Sequence, residues 1–149
     1  MVKIVKKSAC TIAGGYQTDI DKPEQFYNFT DDEMKSILSL GSETASYFFT
    51  RSNPMHIFGS VVERDKQLEA WMIKRDIPDA EYAYFCCKPK AGEPYNEEQL
   101  QSEAWDAVNT WIDGQSIYVR NDSDDIPTMI VASTEEIGYN LYKAIKKRS

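Results

Sequence analysis

Glu81-Tyr82-Ala83-Tyr84-Phe85-Cys86-Cys87-Lys88 decides the fold. Six uncharged residues run together here with no glycine or proline. A strand with one wet face would alternate apolar and polar residues. A near-continuous run belongs to a central strand covered on both faces. Ile77-Pro78-Asp79 turns the chain into this strand, and Ala91-Gly92-Glu93-Pro94 loops out of it.

Working toward the C-terminus, residues 96–113 read as a helix. Leu100, Ala104, Ala107, Val108 and Trp111 form one stripe, and Gly114 stands where a C′ glycine belongs. Gln115 to Arg120 reads as a strand, Asn121 to Asp125 as a turn, and 126–132 as a strand in which Pro127 marks an edge or first position. Ser133-Thr134-Glu135-Glu136 is a capping box, and Ile137, Leu141 and Ile145 follow at fourfold spacing. Together with Lys143, Lys146, Lys147 and Arg148 near the end, they predict a third helix.

Toward the N-terminus, residues 2–12 alternate as a first strand that Gly14-Gly15 ends. Thr30-Asp31-Asp32-Glu33 is a capping box. Met34, Ile37, Leu38, Gly41, Ala45 and Phe48 recur on one helical face, and Ser52-Asn53-Pro54 stops that helix. Residues 55–63 read as a strand, with Gly59 at a bend or close approach. Over 66–74, Leu68, Trp71 and Met72 fit a helical turn, while Leu68, Ala70 and Met72 alternate; a strand continuing after a bulge is the favoured reading. The order β-α-β-(β)-β-α-β-β-α predicts a single α+β domain over residues 1–149. Its helices cover an antiparallel sheet on the split-βαβ, ferredoxin-like plan.

Composition narrows the function. The formal net charge of −7 disfavours an ordinary nucleic-acid binder, which needs a basic footprint. No apolar run reaches the roughly 20 residues of a membrane helix, and the N-terminal segment lacks the apolar core of a signal peptide. Cys10, Cys86 and Cys87 are odd in number and form no CxxC pair, so reduced thiols in a cytoplasmic protein are expected. His56 is the one histidine and reads as a structural or surface residue. There is no zinc spacing, phosphate loop or Ser-His-Asp set, so no metal or cofactor is expected. An enzyme built from these residues would have to run unimolecular chemistry, holding a substrate in a reactive shape and supplying electrostatics.

Three segments resemble the phage-encoded S-adenosylmethionine-degrading enzymes, long called SAM hydrolases and better described as SAM lyases. They are Phe58-Gly59-Ser60-Val61-Val62-Glu63, the stretch from Glu81 to Lys90, and the stretch from Ala107 to Val119 with its Trp111, Gly114 and Gln115. The resemblance implies cleavage of SAM to 5′-methylthioadenosine and L-homoserine lactone by attack of the substrate's own carboxylate, with no enzyme nucleophile or metal. It matches Glu81 to a substrate-contacting glutamate, with Glu63 as the competing carboxylate, and Gln115 to a glutamine that begins a strand. Trp71 falls nearest a family tyrosine, a departure that removes a hydroxyl. It also implies a GlnB-like homotrimer with sites between subunits, and a phage counter-defence that starves restriction-modification enzymes in the host cytoplasm. The competing expectation is a non-enzymatic acidic binding or inhibitor protein acting on a nucleotide ligand or a host protein, because fold alone does not choose between these.

Overall fold

The computed structural model describes residues 1–16, 29–41, 45–50, 56–131 and 138–149. Within them run β1 (Lys3–Lys7), β2 (Cys10–Tyr16), α1 (Asp31–Leu38), β3 (Ser46–Phe49), β4 (His56–Val62), β5 (Ile73–Ile77), β6 (Ala80–Cys87), α2 (Glu97–Gly114), β7 (Tyr118–Arg120), β8 (Thr128–Val131) and β9 (Tyr139–Lys147). The fold is α+β: among the described residues, one nine-stranded sheet, antiparallel in its pairings and not closed, with two helices. The strand order is β1-β6-β9-β8-β3-β4-β2-β5, with β7 also on β9.

Two similar halves lie in that order. In one, β2-α1-β3 is a strand–helix–strand unit whose strands flank β4. In the other, β6-α2-β8 flanks β9 in the same way. The halves meet where β3 pairs with β8 around Phe48 and Met129. No repeat is visible in the sequence.

Short links force the sheet to curl. Only Ser8 and Ala9 join β1 to β2, yet these strands stand six positions apart in the sheet. A flat sheet would separate them by roughly 29 Å at about 4.8 Å per strand. Three extended steps of chain reach no more than about 11 Å. The β1–β6 and β2–β5 ladders continue in one register across this corner, with Lys7 opposite Ala80 and Cys10 opposite Ile77. The Ala9 amide donates to the Asp79 carboxylate and ties the two links together. Inside the curl, Ile12, Phe48, Ile57, Tyr82 and Met129 from both halves pack as one core. Outside it, α2 covers Ala83, Leu141 and Ile145, while Ile37 and Leu40 at and just beyond α1 pack against Ala13.

The capping box at Thr30 is present: its hydroxyl accepts from the Glu33 amide, and the Glu33 carboxylate accepts from the Thr30 amide. α2 matches its predicted span to within one residue at each end. Several expectations need correction. The first strand, expected over 2–12 and ended by Gly14-Gly15, is two strands, β1 and β2, with both glycines inside β2. Gly114, expected at C′, is the last residue of α2, and Gln115 is its C-cap. The helix opened by Thr30 ends at Leu38, and Phe48 lies buried in β3; Ser39 and Gly41 are weak helix formers that let it stop early. The third helix is β9 over Tyr139–Lys147: fourfold spacing is even, so Leu141 and Ile145 share one face of a strand just as they would of a helix. The strand expected over 66–74 begins only at Ile73. The capping box at Ser133 and the stop at Ser52-Asn53-Pro54 lie outside the described residues.

Candidate ligand-binding site

Alternation sorts the side chains at the junction of the halves. Phe48 and Met129 point into the core. Tyr47 and Phe49 of β3, His56 of β4, and Thr128 and Ile130 of β8 point the other way. Each helix covers its own half, so this outward strip is left between them. It floors a cleft of about 550 Å³, a volume typical of small-molecule sites. Trp105 and Asn109 of α2 wall one side, and the β7–β8 loop walls the other.

Three rings gather around Phe49. Its centroid lies 5.0 Å from Tyr47, 6.0 Å from His56 in a stacked pair, and 6.2 Å from Trp105. His56 is only 8% exposed. Its Nδ1 stands 2.6 Å from the Tyr47 hydroxyl, which is the donor when the neutral ring carries its own proton on Nε2. Burial pushes the Tyr47 phenol up to about 12 and holds the imidazole below its ordinary value of 6.5. Both groups therefore stay uncharged at neutral pH.

The cations that line the cleft are matched by acids. Arg120 grips Asp113 through Nη1 and Nη2 at 2.8 and 3.4 Å, and donates to Asn109 at 2.9 Å. Lys143, its side chain 12% exposed, lies 3.6 Å from Asp122. With those cations paired, the cleft offers a ligand its ring faces beside uncharged polar groups such as Gln101, Asn121 and Ser123.

The residues singled out from sequence lie elsewhere. Gln115 caps α2: its Nε2 donates to the carbonyls of Ile112 and Tyr118, and its Oε1 accepts from the amides of Ile117 and Tyr118. That use occupies both ends of its amide. Glu81, the second residue of β6, lies beside a second, lysine-rich cleft of about 530 Å³, 3.9 Å from Lys6. Its Oε2 is shut off from solvent with no hydrogen-bond partner among the described residues. Burial and contact with this carboxylate raise the Tyr118 phenol. Glu81 and Gln115 thus share a neighbour in Tyr118. Trp71 and Glu63 lie in the other half. Trp71 sits in the turn before β5, its indole donating to Glu69 and its ring 6.5 Å from Phe29. Glu63 is exposed just past β4. One chain does not bring the four together. Among the described residues no group of three potential metal ligands occurs, and no helix is long and apolar enough to cross a membrane.

Sequence alone does not single out Tyr47, Phe49 or Trp105 as site residues, and it reads His56 as a structural or surface residue. Tyr47-Phe48-Phe49 is the available signal: three aromatics in a row line both faces of a strand, whereas a helix there places only Phe48 on its apolar face.

No family model matches the chain, and no curated protein matches its sequence. Solved structures do share its fold. SAV2435 bound to tetraphenylphosphonium superposes with a TM-score of 0.61 at 10% identity, over 98% of this chain and 94% of that one. The integron cassette protein VCH_CASS2 from the mobile metagenome of Vibrio cholerae gives 0.51 at 11% identity, over 99% and 95%. A Staphylococcus aureus MU50 protein named for a conjectured role in transcription regulation gives 0.57 at 8% identity, over 98% of both chains.

Proposed function

We propose that the protein is a small-molecule binding module whose cleft takes an aromatic, positively charged ligand. The observation that carries this is the helix-free strip at the β3–β8 junction, walled by Tyr47, Phe49, His56 and Trp105. Ring faces are negative and attract cations. The chain's net charge of −7 favours the same sign of partner at long range. The ligand of SAV2435, a protein of similar fold, is a four-ring cation. Tetraphenylphosphonium is therefore the first probe. At about 0.3 kcal/mol for each of its roughly 25 heavy atoms it should bind with about 7–8 kcal/mol, a Kd of some micromolar. Tetraphenylborate has the same shape and the opposite charge. Calorimetry should show the cation binding at least tenfold more tightly; equal affinities, or no binding of either, would refute the reading.

A second reading rests on Glu81, Tyr118 and Gln115. A half-buried carboxylate with an unpartnered oxygen, beside a phenol whose backbone Gln115 holds, suits the cationic end of S-adenosylmethionine. On this reading the protein is a cytoplasmic SAM lyase, a trimer of ferredoxin-like subunits that serves phage counter-defence. Incubation with SAM would release 5′-methylthioadenosine. Glu81→Gln would lower turnover about 10- to 150-fold, the loss of one charge-assisted hydrogen bond of about 1.5–3 kcal/mol. Glu63→Gln would leave turnover intact. Absence of methylthioadenosine, or a monomer by light scattering, would count against this reading without touching the first.

A further inference from the structure

The binding cleft contains the protein's one histidine, in a position to sense its occupant. We propose that His56 makes binding in this cleft proton-linked, so that a cationic ligand is held while the imidazole is neutral and released when it takes a proton. This inference rests on the binding reading above and concerns how that site is regulated.

The geometry supplies the linkage. The imidazole is stacked at 20° on Phe49, the ring at the middle of the aromatic wall, and its Nδ1 faces the Tyr47 hydroxyl. A cation seated on those rings is therefore a neighbour of the imidazole. Protonation does two things. It makes both ring nitrogens donors, so the Tyr47 hydroxyl must turn and accept from Nδ1. It also places a positive charge in the wall that the ligand's own charge approaches. Proton and ligand then compete.

The other charged or titratable groups facing the cleft do not share this role. They are Tyr47 on β3, Arg120 on β7, Asp122 on the β7–β8 loop and Lys143 on β9, while α2 contributes Gln101, Trp105 and Asn109, which do not titrate. Only an imidazole ordinarily changes charge between pH 5 and 8. The direction follows from burial, which holds the His56 pKa below 6.5 in the free protein. Above that value the ring is neutral and affinity for a cation is flat. Between the free pKa and the lower pKa of the complex, each bound cation must displace a proton, and affinity falls by up to about tenfold per pH unit.

A lone histidine makes the test direct, because the imidazole C–H signals in the proton NMR spectrum have a single source. The wild-type chain is titrated from pH 8 to 5, free and saturated with tetraphenylphosphonium, and Kd is measured across the same range. The expected result is a His56 pKa lowered by about one unit in the complex, with Kd for the cation rising about tenfold in total as the pH falls through the free and then the bound pKa. Tetraphenylborate should show no such loss. His56→Gln, if folded, should bind the cation with a flat pH profile. An unchanged imidazole pKa with tight cation binding would overturn the proton link and leave the binding reading standing. Failure to bind at pH 7.5 would overturn both.

Discussion

Gly59→Ala is expected to cost on the order of 3 kcal/mol of folding stability. Gly59 of β4 stands directly opposite Gly14 of β2. A Cβ at Gly59 would lie 1.9 Å from the Ala13 carbonyl oxygen and 2.7 Å from the Gly14 Cα. A Cβ at Gly14 would meet the Phe58 carbonyl oxygen at 2.1 Å. These are backbone atoms, and no rotamer change can move them aside. The strand pair would have to separate where β2 carries Ile12 into the inner core and Ala13 under the α1 layer. Gly114→Ala is the contrast, since nothing lies within 4 Å of its Cβ. It should change stability by less than about 0.5 kcal/mol. Urea unfolding of both variants checks the claim: a Gly59→Ala midpoint as close to wild type as that of Gly114→Ala would contradict the close approach of β2 to β4.

The second large effect concerns the cleft. Phe49→Leu/Trp105→Leu keeps the walls apolar but removes two of the four ring faces. A desolvated cation–π contact is worth about 1–2 kcal/mol, so affinity for tetraphenylphosphonium should fall by about 2–4 kcal/mol, or roughly 30- to 1000-fold. The rings lie 6.2 Å apart and would face the same ligand, so the single variants should not add simply. Tetraphenylborate, which gains nothing from a ring's negative face, should lose far less. Equal losses for cation and anion would mean that the rings act only as apolar surface.

Segments whose sequence answers to one period were legible. The apolar run in β6 is too short for a core helix and is bounded by turns, and α2 carries a 3.6-residue stripe over 18 residues; both match the structure. The capping box at Thr30 fixed where α1 begins, since its two hydrogen bonds are local. Where α1 ends was not legible, because Ala45 and Phe48 continue a helical spacing that only tertiary pairing overrides. β9 failed for the same reason: Leu141 and Ile145 fit both periods, and its two-sided pairing with β6 and β8 decides. The curl of the sheet comes from long-range register at Lys7–Ala80 and Cys10–Ile77, which no local pattern announces. The cleft inherits that difficulty. Its wall joins Tyr47 and Phe49 to Trp105 across more than fifty residues of chain, and only the β3–β8 junction brings them together.

An aromatic cation is expected on the outward face of that junction. The most direct measurement is a set of intermolecular nuclear Overhauser contacts between the phenyl protons of tetraphenylphosphonium and the protein at pH 7.5. Contacts to Tyr47, Phe49, Trp105 and Ile130, with none to Lys6, Glu81 or Lys146, are the predicted result. Saturable binding whose contacts fall instead on the lysine-rich cleft at Glu81 would contradict it.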